Sequence, residues 1–206
     1  MTYEQFNTII TNRQHSIVLV EGTRSLPAED VDTLAAFGKW LAETYPQAMF
    51  RTGNADGADT AFARGIIEVD PSRLEYVLPY GGHRKESIAQ SSCQIALTDM
   101  PRVAEERAVY HTSQASPQYQ SLMKKRETMP RLRAKARYIL RDTIKVIGAE
   151  ESSLSPATAG IFYVNPDDPM KGGTGHTIRV CQEHNVPIAF QDEWMKWSTK
   201  QNLCTL

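Results

Sequence analysis

Cysteine is scarce in this chain: three in 206 residues, at positions 93, 181 and 204. Their odd number and wide spacing speak against a disulfide framework and fit a reduced, cytoplasmic protein. Cys181 and His184 lie three apart, but no second pair accompanies them. Cys181 therefore reads as a core thiol, and no metal site is expected. Long apolar runs are missing as well. None approaches the ~18 residues of a transmembrane helix, so no membrane partner is expected. Residues 1–15 have neither a basic start nor an apolar centre, and no secretory signal is expected there. Net charge is almost missing, with 23 basic against 24 acidic residues. That balance speaks against a dedicated nucleic-acid binder until its distribution is considered. Two nucleotide signatures are absent: the G-x-x-x-x-G-K-[ST] P-loop, and G-x-G-x-x-G after the first strand. An ATPase and an ordinary nicotinamide dehydrogenase are thereby disfavoured, and no cofactor is identified.

What is present is an ordinary globular mix, 41% hydrophobic and 23% charged. The length fits one domain, at roughly 100–200 residues each. Ile17-Val18-Leu19-Val20 is a short β-branched run halted by glycine, the mark of a buried strand entering a loop. Leu34, Phe37, Leu41 and Tyr45 then recur at helical spacing between Pro27 and Pro46. The same alternation continues with strands at 48–51 and 74–78 and an alanine-rich helix at 58–68. Further strands are expected at 143–147, 160–164 and 187–190. The last helices are expected at 177–184 and 191–197. Strands alternating with amphipathic helices predict an α/β fold: a doubly wound, mostly parallel, Rossmann-like sheet. A helical insertion of about 83–141 interrupts it.

In such sheets, ligands bind beyond the carboxyl ends of the strands, where the strand order reverses. Three loops there share one character. The first holds Glu21, Gly22, Thr23 and Arg24. The second runs Thr52, Gly53, Asn54, Ala55, Asp56, Gly57, Ala58 and Asp59. The third holds Gly172, Gly173 and Thr174. Glycine lets backbone amides approach a ligand, and a helix start adds unpaired N–H groups and a positive dipole end. Each loop alone is also explained as a tight turn with a helix cap. Three together point to a phosphate-bearing ligand.

This trio resembles the SLOG superfamily, which includes the DprA/Smf DNA-processing proteins, the molybdenum-cofactor carriers and the Lonely Guy phosphoribohydrolases. The Gly-x-Ala-x-Gly-Ala-Asp run at 53–59 is the most specific match. The resemblance spans Ile17 to Pro79 and Thr143 to Phe190 and implies a Rossmann-like fold that binds nucleotides or nucleotide-derived ligands. It departs from the phosphoribohydrolases at one place. Their Pro-Gly-Gly-x-Gly-Thr-x-x-Glu motif ends in a hydrolytic glutamate. Arg179 occupies that position here, with Lys171 and His176 at the proline and threonine positions. A guanidinium stays protonated and cannot do a carboxylate's acid–base work. The phosphate cradle is kept, and Arg179 could itself bind a phosphate.

Other groups are candidates for the missing carboxylate. Glu21 ends the first strand and could accept hydrogen bonds from a ribose or base, or act catalytically. Asp56 and Asp59 flank the second loop, where a capping role competes. His83, after Gly81-Gly82, is a candidate acid–base residue. The segment Lys124–Lys145 holds nine basic and two acidic residues, a balance of +7 hidden within the chain's −1. It is either a solvated helix face or an electrostatic footprint for nucleic acid. Arg133, Arg137 and Arg141 recur every fourth residue, and Arg137 and Arg141 could reach the crevice. Tyr119 and Tyr138 could stack on bases. Trp194 and Trp197 belong either to the core or to a homo-oligomer interface. The leading expectation is a nucleotide-type ligand bound at the loops, the protein acting as a sensor. The alternatives are a nucleotide N-glycosidase and a DprA-like single-stranded DNA binder.

Overall fold

The computed structural model describes residues 1–197. Six strands form one all-parallel sheet: β1 (Ser16–Gly22), β2 (Ala48–Thr52), β3 (Leu74–Leu78), β4 (Cys93–Ala96), β5 (Ala159–Tyr163) and β6 (Ile188–Phe190). Their spatial order is β4-β3-β2-β1-β5-β6. The chain thus winds outward from β1 in one direction, returns, and winds outward in the other. This is an α/β Rossmann-like fold, and its order reverses between β1 and β5.

The period-two alternation of a strand sorts side chains to the two faces. Val18, Val20, Phe50, Tyr76, Leu78 and Ile161 pack in one core with α1 (Tyr3–Thr11), α2 (Val31–Thr44), α3 (Ala58–Val69) and α8 (Gln191–Trp194). On the other face, Val77 packs with α4 (Arg102–Ala115), α5 (Gln120–Lys125) and α6 (Pro130–Ile147). Leu19 and Phe162 pack there with α7 (Gly172–Glu183). Trp194 and Trp197 are both buried, Trp194 with its ring 4.4 Å from that of Phe37. Each such side chain contributes about 1.5–3 kcal/mol by leaving water. These tryptophans belong to the core, and the interface reading of them is set aside. Cys181 is a buried core thiol and Cys93 an exposed one; Cys204 lies outside the described residues. Among the described residues, no helix is long and apolar enough to cross a membrane.

The structure corrects three sequence expectations. Residues 143–147 are the last turn of α6, not a strand. Thr143 to Ile147 alternates locally like a strand, but Ala136, Ile139, Leu140 and Ile144 form a continuous helical stripe that packs against the sheet. That longer-range packing overrides local propensity. The segment 83–141 is also not purely helical, because it contributes edge strand β4, paired in parallel with β3. Finally, α7 begins at Gly172, five residues before its expected start, so the third loop is the first turn of a helix.

Candidate functional site

The reversal of strand order leaves a crevice at the carboxyl ends of β1 and β5. A cavity of about 430 Å³ occupies it. One wall is the first turn of α7, where Gly173 and Thr174 face the cavity. No side chain caps this turn, so its N–H groups lack the intrahelical partners that later turns enjoy. The turn is fixed to the sheet instead: Thr174 Oγ1 donates to the Gly22 carbonyl at 2.8 Å.

The second loop has a different economy. Asp59, at the start of α3, is buried and accepts four hydrogen bonds. These come from the Gly22, Gly53 and Ala55 amides and the Thr52 hydroxyl, at 3.2, 3.1, 3.3 and 2.9 Å. Asp59 orders the loop, and its carboxylate takes amides that a phosphate would otherwise receive. Gly57 adopts φ +79° with the Thr23 carbonyl pressed against it, and a Cβ there would lie 2.4 Å from that oxygen. Only glycine fits.

The cavity floor holds four buried charges. Lys145 Nζ lies 2.6 Å from Glu21 Oε2 and 2.9 Å from Asp142 Oδ1. Arg141 donates through Nε and Nη2 to Asp142 Oδ1, at 3.1 and 2.8 Å, and through Nη1 to the Gly53 carbonyl at 2.9 Å. Thr177 donates to Glu21 Oε2 at 3.3 Å. Glu21 Oε1 is buried and has no hydrogen-bond partner among the described residues. Burial pushes the Glu21 carboxyl up from 4.5 to about 7, against the pull of Lys145; Asp59 and Asp142 add to the rise. Asp142 falls to about 2, because Arg141 and Lys145 together outweigh its burial. Arg51 straps this assembly to the sheet. It pairs with Glu75 on β3 and donates to the Lys145 carbonyl at 2.8 Å.

Of the residues expected from sequence, the cavity brings together Glu21, Gly22, Arg24, Ala55, Asp56, Asp59, His83, Arg141, Gly173 and Thr174. Thr23, Thr52, Gly53, Asn54, Gly57 and Gly172 do not line it. Asn54 (φ +55°) donates to the carbonyls of His83 and Arg84 and so ties two loops together. Arg179 is turned away, donating to the Met170 carbonyl at 2.8 Å. His83 is buried beside Tyr80, whose hydroxyl lies 3.1 Å from its Nδ1. Burial and the nearby Arg141 and Arg84 lower its pKa.

Sequence reasoning missed Asp142, Lys145 as a floor residue, Thr177 and Arg84. The Arg84 guanidinium pairs with Asp56 and donates to the Asn54 carbonyl at 2.9 Å. A legible signal was there for the floor: Arg141, Asp142 and Lys145 stand inside an otherwise apolar helical run, where charges persist only if paired. Tyr138 does line the cavity, with Arg141 over its ring at 5.5 Å. Tyr119 instead packs edge-on against the buried His176.

The basic segment divides in two. Arg126, Arg141 and Lys145 are buried and paired, Arg126 with Glu105, Glu106 and Glu127. Lys124, Lys125, Arg131, Arg133 and Lys135 are exposed. Arg137 lines a separate hollow beside Arg126 and Arg133, so it does not join Arg141 in the crevice.

The fold and crevice define the class: a Rossmann-like α/β protein with a polar cavity at its topological switch point. No family model matches the chain, and no curated protein matches its sequence. Among solved structures, the chain is similar to DNA processing protein A from Helicobacter pylori, described for its single-stranded DNA binding mode. The TM-score is 0.51 at 14% identity, over 89% of this chain and 67% of that one. At this identity the likeness is one of fold.

Proposed function

We propose that the cavity binds a nucleotide or nucleotide-derived phosphate ligand, as the SLOG resemblance implies, and that the protein acts as its sensor. One observation carries the reading: the uncapped first turn of α7 opens into a cavity that Arg24 and Arg84 also line. Helix N–H groups, a positive dipole end and two guanidinium groups together suit a phosphate. A thermal-shift screen against a nucleotide library, followed by calorimetry, tests it. At least one nucleotide stabilises the protein, and Arg24→Ala weakens its binding. No stabilisation by any nucleotide, with Arg24→Ala behaving as the parent, overturns the reading.

A second reading is a single-stranded DNA binder. It is favoured by the exposed basic residues from Lys124 to Lys135 and by the fold shared with a protein whose single-stranded DNA binding has been described. The N-glycosidase alternative rests on Glu21, a buried carboxyl poised near neutrality, with His83 as the other acid–base candidate lining the cavity. Chromatography of nucleoside monophosphates incubated with the protein decides it, since base release must disappear in Glu21→Gln.

A further inference from the structure

We infer that the same cavity carries a base subsite, in which the ring of Tyr138 stacks on the base of a nucleoside 5′-phosphate. The subsite rests on the phosphate reading above and names what the ligand carries at its other end.

Most side chains that line the cavity are charged or polar; Ala55, Tyr138 and Ile139 are its apolar ones. Tyr138 and Ile139 are neighbours on α6, so the apolar surface is gathered on one wall. Ile139 is buried, whereas Tyr138 is only half-buried and keeps part of its ring open to the cavity. The inner side of that ring is taken by Arg141, itself buried, whose guanidinium lies 5.5 Å from the ring centre. His83 meets the ring edge-on at 5.5 Å, and the Tyr80 hydroxyl in turn lies 3.1 Å from His83 Nδ1. Tyr138 is therefore fixed from behind and from the side before a ligand arrives, which lowers the cost of ordering it on binding. A half-open aromatic surface in a polar cavity suits a flat group with an apolar face and polar edges. A nucleobase is such a group.

The position of Tyr138 on α6 fits the same ligand. Asp142, held by Arg141 and Lys145, stands against the uncapped turn of α7: a Cβ on Gly173 would lie 2.6 Å from Asp142 Oδ2. Tyr138 precedes Asp142 by one turn on the same helix face, about 6 Å along the axis. A sugar separates a base from its 5′-phosphate on that scale. Inorganic phosphate or a sugar phosphate would leave the ring uncovered, and a cavity of about 430 Å³ has room for a larger ligand.

Calorimetry on the unaltered protein with the four nucleoside 5′-monophosphates, ribose 5-phosphate and inorganic phosphate tests this. At least one monophosphate binds about tenfold or more tighter than ribose 5-phosphate, the margin that stacking on one ring supplies. In Tyr138→Leu, checked for folding by its melting curve, that margin falls to within about threefold, whereas Tyr138→Phe keeps it because the ring remains. Ultraviolet crosslinking of the tightest monophosphate to the unaltered protein labels the peptide that carries Tyr138. Ribose 5-phosphate binding as tightly as every monophosphate overturns the base subsite and leaves the phosphate reading standing. A margin unchanged in Tyr138→Leu, or a crosslink confined to other peptides, overturns the assignment to Tyr138. No binding by any of these phosphates removes both.

Discussion

Lys145 and Glu21, 124 residues apart in sequence, meet at 2.6 Å in the interior of the protein. The contact joins the last turn of α6 to the end of β1, where the order of the sheet reverses. Because Asp142 shares the same ammonium, one lysine holds two carboxylates that would otherwise repel each other. The pair fixes the cavity floor as much as it fixes the helix.

Removing Lys145 should therefore damage the fold. Lys145→Met keeps the aliphatic stem but leaves Glu21 and Asp142 buried with only Arg141 to balance them. Breaking a buried pair from one side costs about 3–5 kcal/mol. Urea unfolding should show a loss of that order. In Lys145→Met combined with Glu21→Gln part of it should return, since the uncompensated charge is gone. Losses that simply add would mean that the two groups are not coupled.

The pH dependence of stability should separate two buried groups that act in opposite directions. Glu21 faces Lys145 and Asp142 on α6 and Asp59 on α3, and burial raises it from 4.5 to about 7. Its stabilising protonation is complete below pH 4.5 and is lost as pH rises to about 7. His176 bonds to the Ser116 and Thr143 hydroxyls, both at 2.8 Å. Burial lowers it from 6.5 to about 4, Asp142 pulling the other way and Arg179 and Lys145 reinforcing the drop. Its contribution is complete above pH 6.5 and is lost as pH falls toward 4. At about 1.4 kcal/mol per pH unit, Glu21→Gln should gain roughly 3 kcal/mol on the parent between pH 4.5 and 7. His176→Asn should fall behind by a similar amount between pH 4 and 6.5. Denaturant curves at these pH values decide it, and parallel profiles for parent and variants would refute both assignments.

The same residues show how far the sequence could be read. Strands β1, β2, β3 and β5 were legible because short, mostly apolar runs end at turn-forming residues: Gly22, Thr52-Gly53, Pro79 and Asn165-Pro166. Strand β4 was not, since Cys93-Gln94-Ile95-Ala96 lies at an edge, half exposed, and needs no clear alternation. That loop residues after β1 and β2 would converge on one crevice was legible from glycine and aspartate chemistry. Lys145 was not, because its role depends on where α6 lands on the sheet. Arg51, Lys145 and Glu21 come from three separate elements, and only the packed sheet brings them together.

Arg24 and Arg141 both line the cavity and should behave differently when removed. Arg24 is exposed and makes no ion pair among the described residues. Arg24→Ala should change stability by less than about 0.5 kcal/mol, as for an ordinary surface site. It should weaken a bound monophosphate about tenfold, through loss of a charge-assisted contact. Arg141 is buried and committed to Asp142 and Gly53, so Arg141→Ala should lower the melting temperature before any ligand is added. Melting curves and calorimetry on the two variants check this. Unchanged affinity in Arg24→Ala would take Arg24 out of the site.

The DNA reading carries its own numerical expectation. Arg126, Arg141 and Lys145 are buried in ion pairs, so the electrostatic footprint reduces to the five exposed basic residues from Lys124 to Lys135. If each neutralises one phosphate of a single strand, log K should fall with log salt at a slope of about −3.5. Affinity should then drop about a hundredfold between 50 and 200 mM salt. Replacing Lys124, Lys125, Arg131 and Lys135 by alanine should flatten that slope by about three. Gel shifts or fluorescence anisotropy across a salt series measure it. Salt-insensitive binding, or binding unchanged in the fourfold variant, would sink the DNA reading. None of these five residues lines the cavity, so nucleotide binding should persist in the fourfold variant and keep the two readings separable.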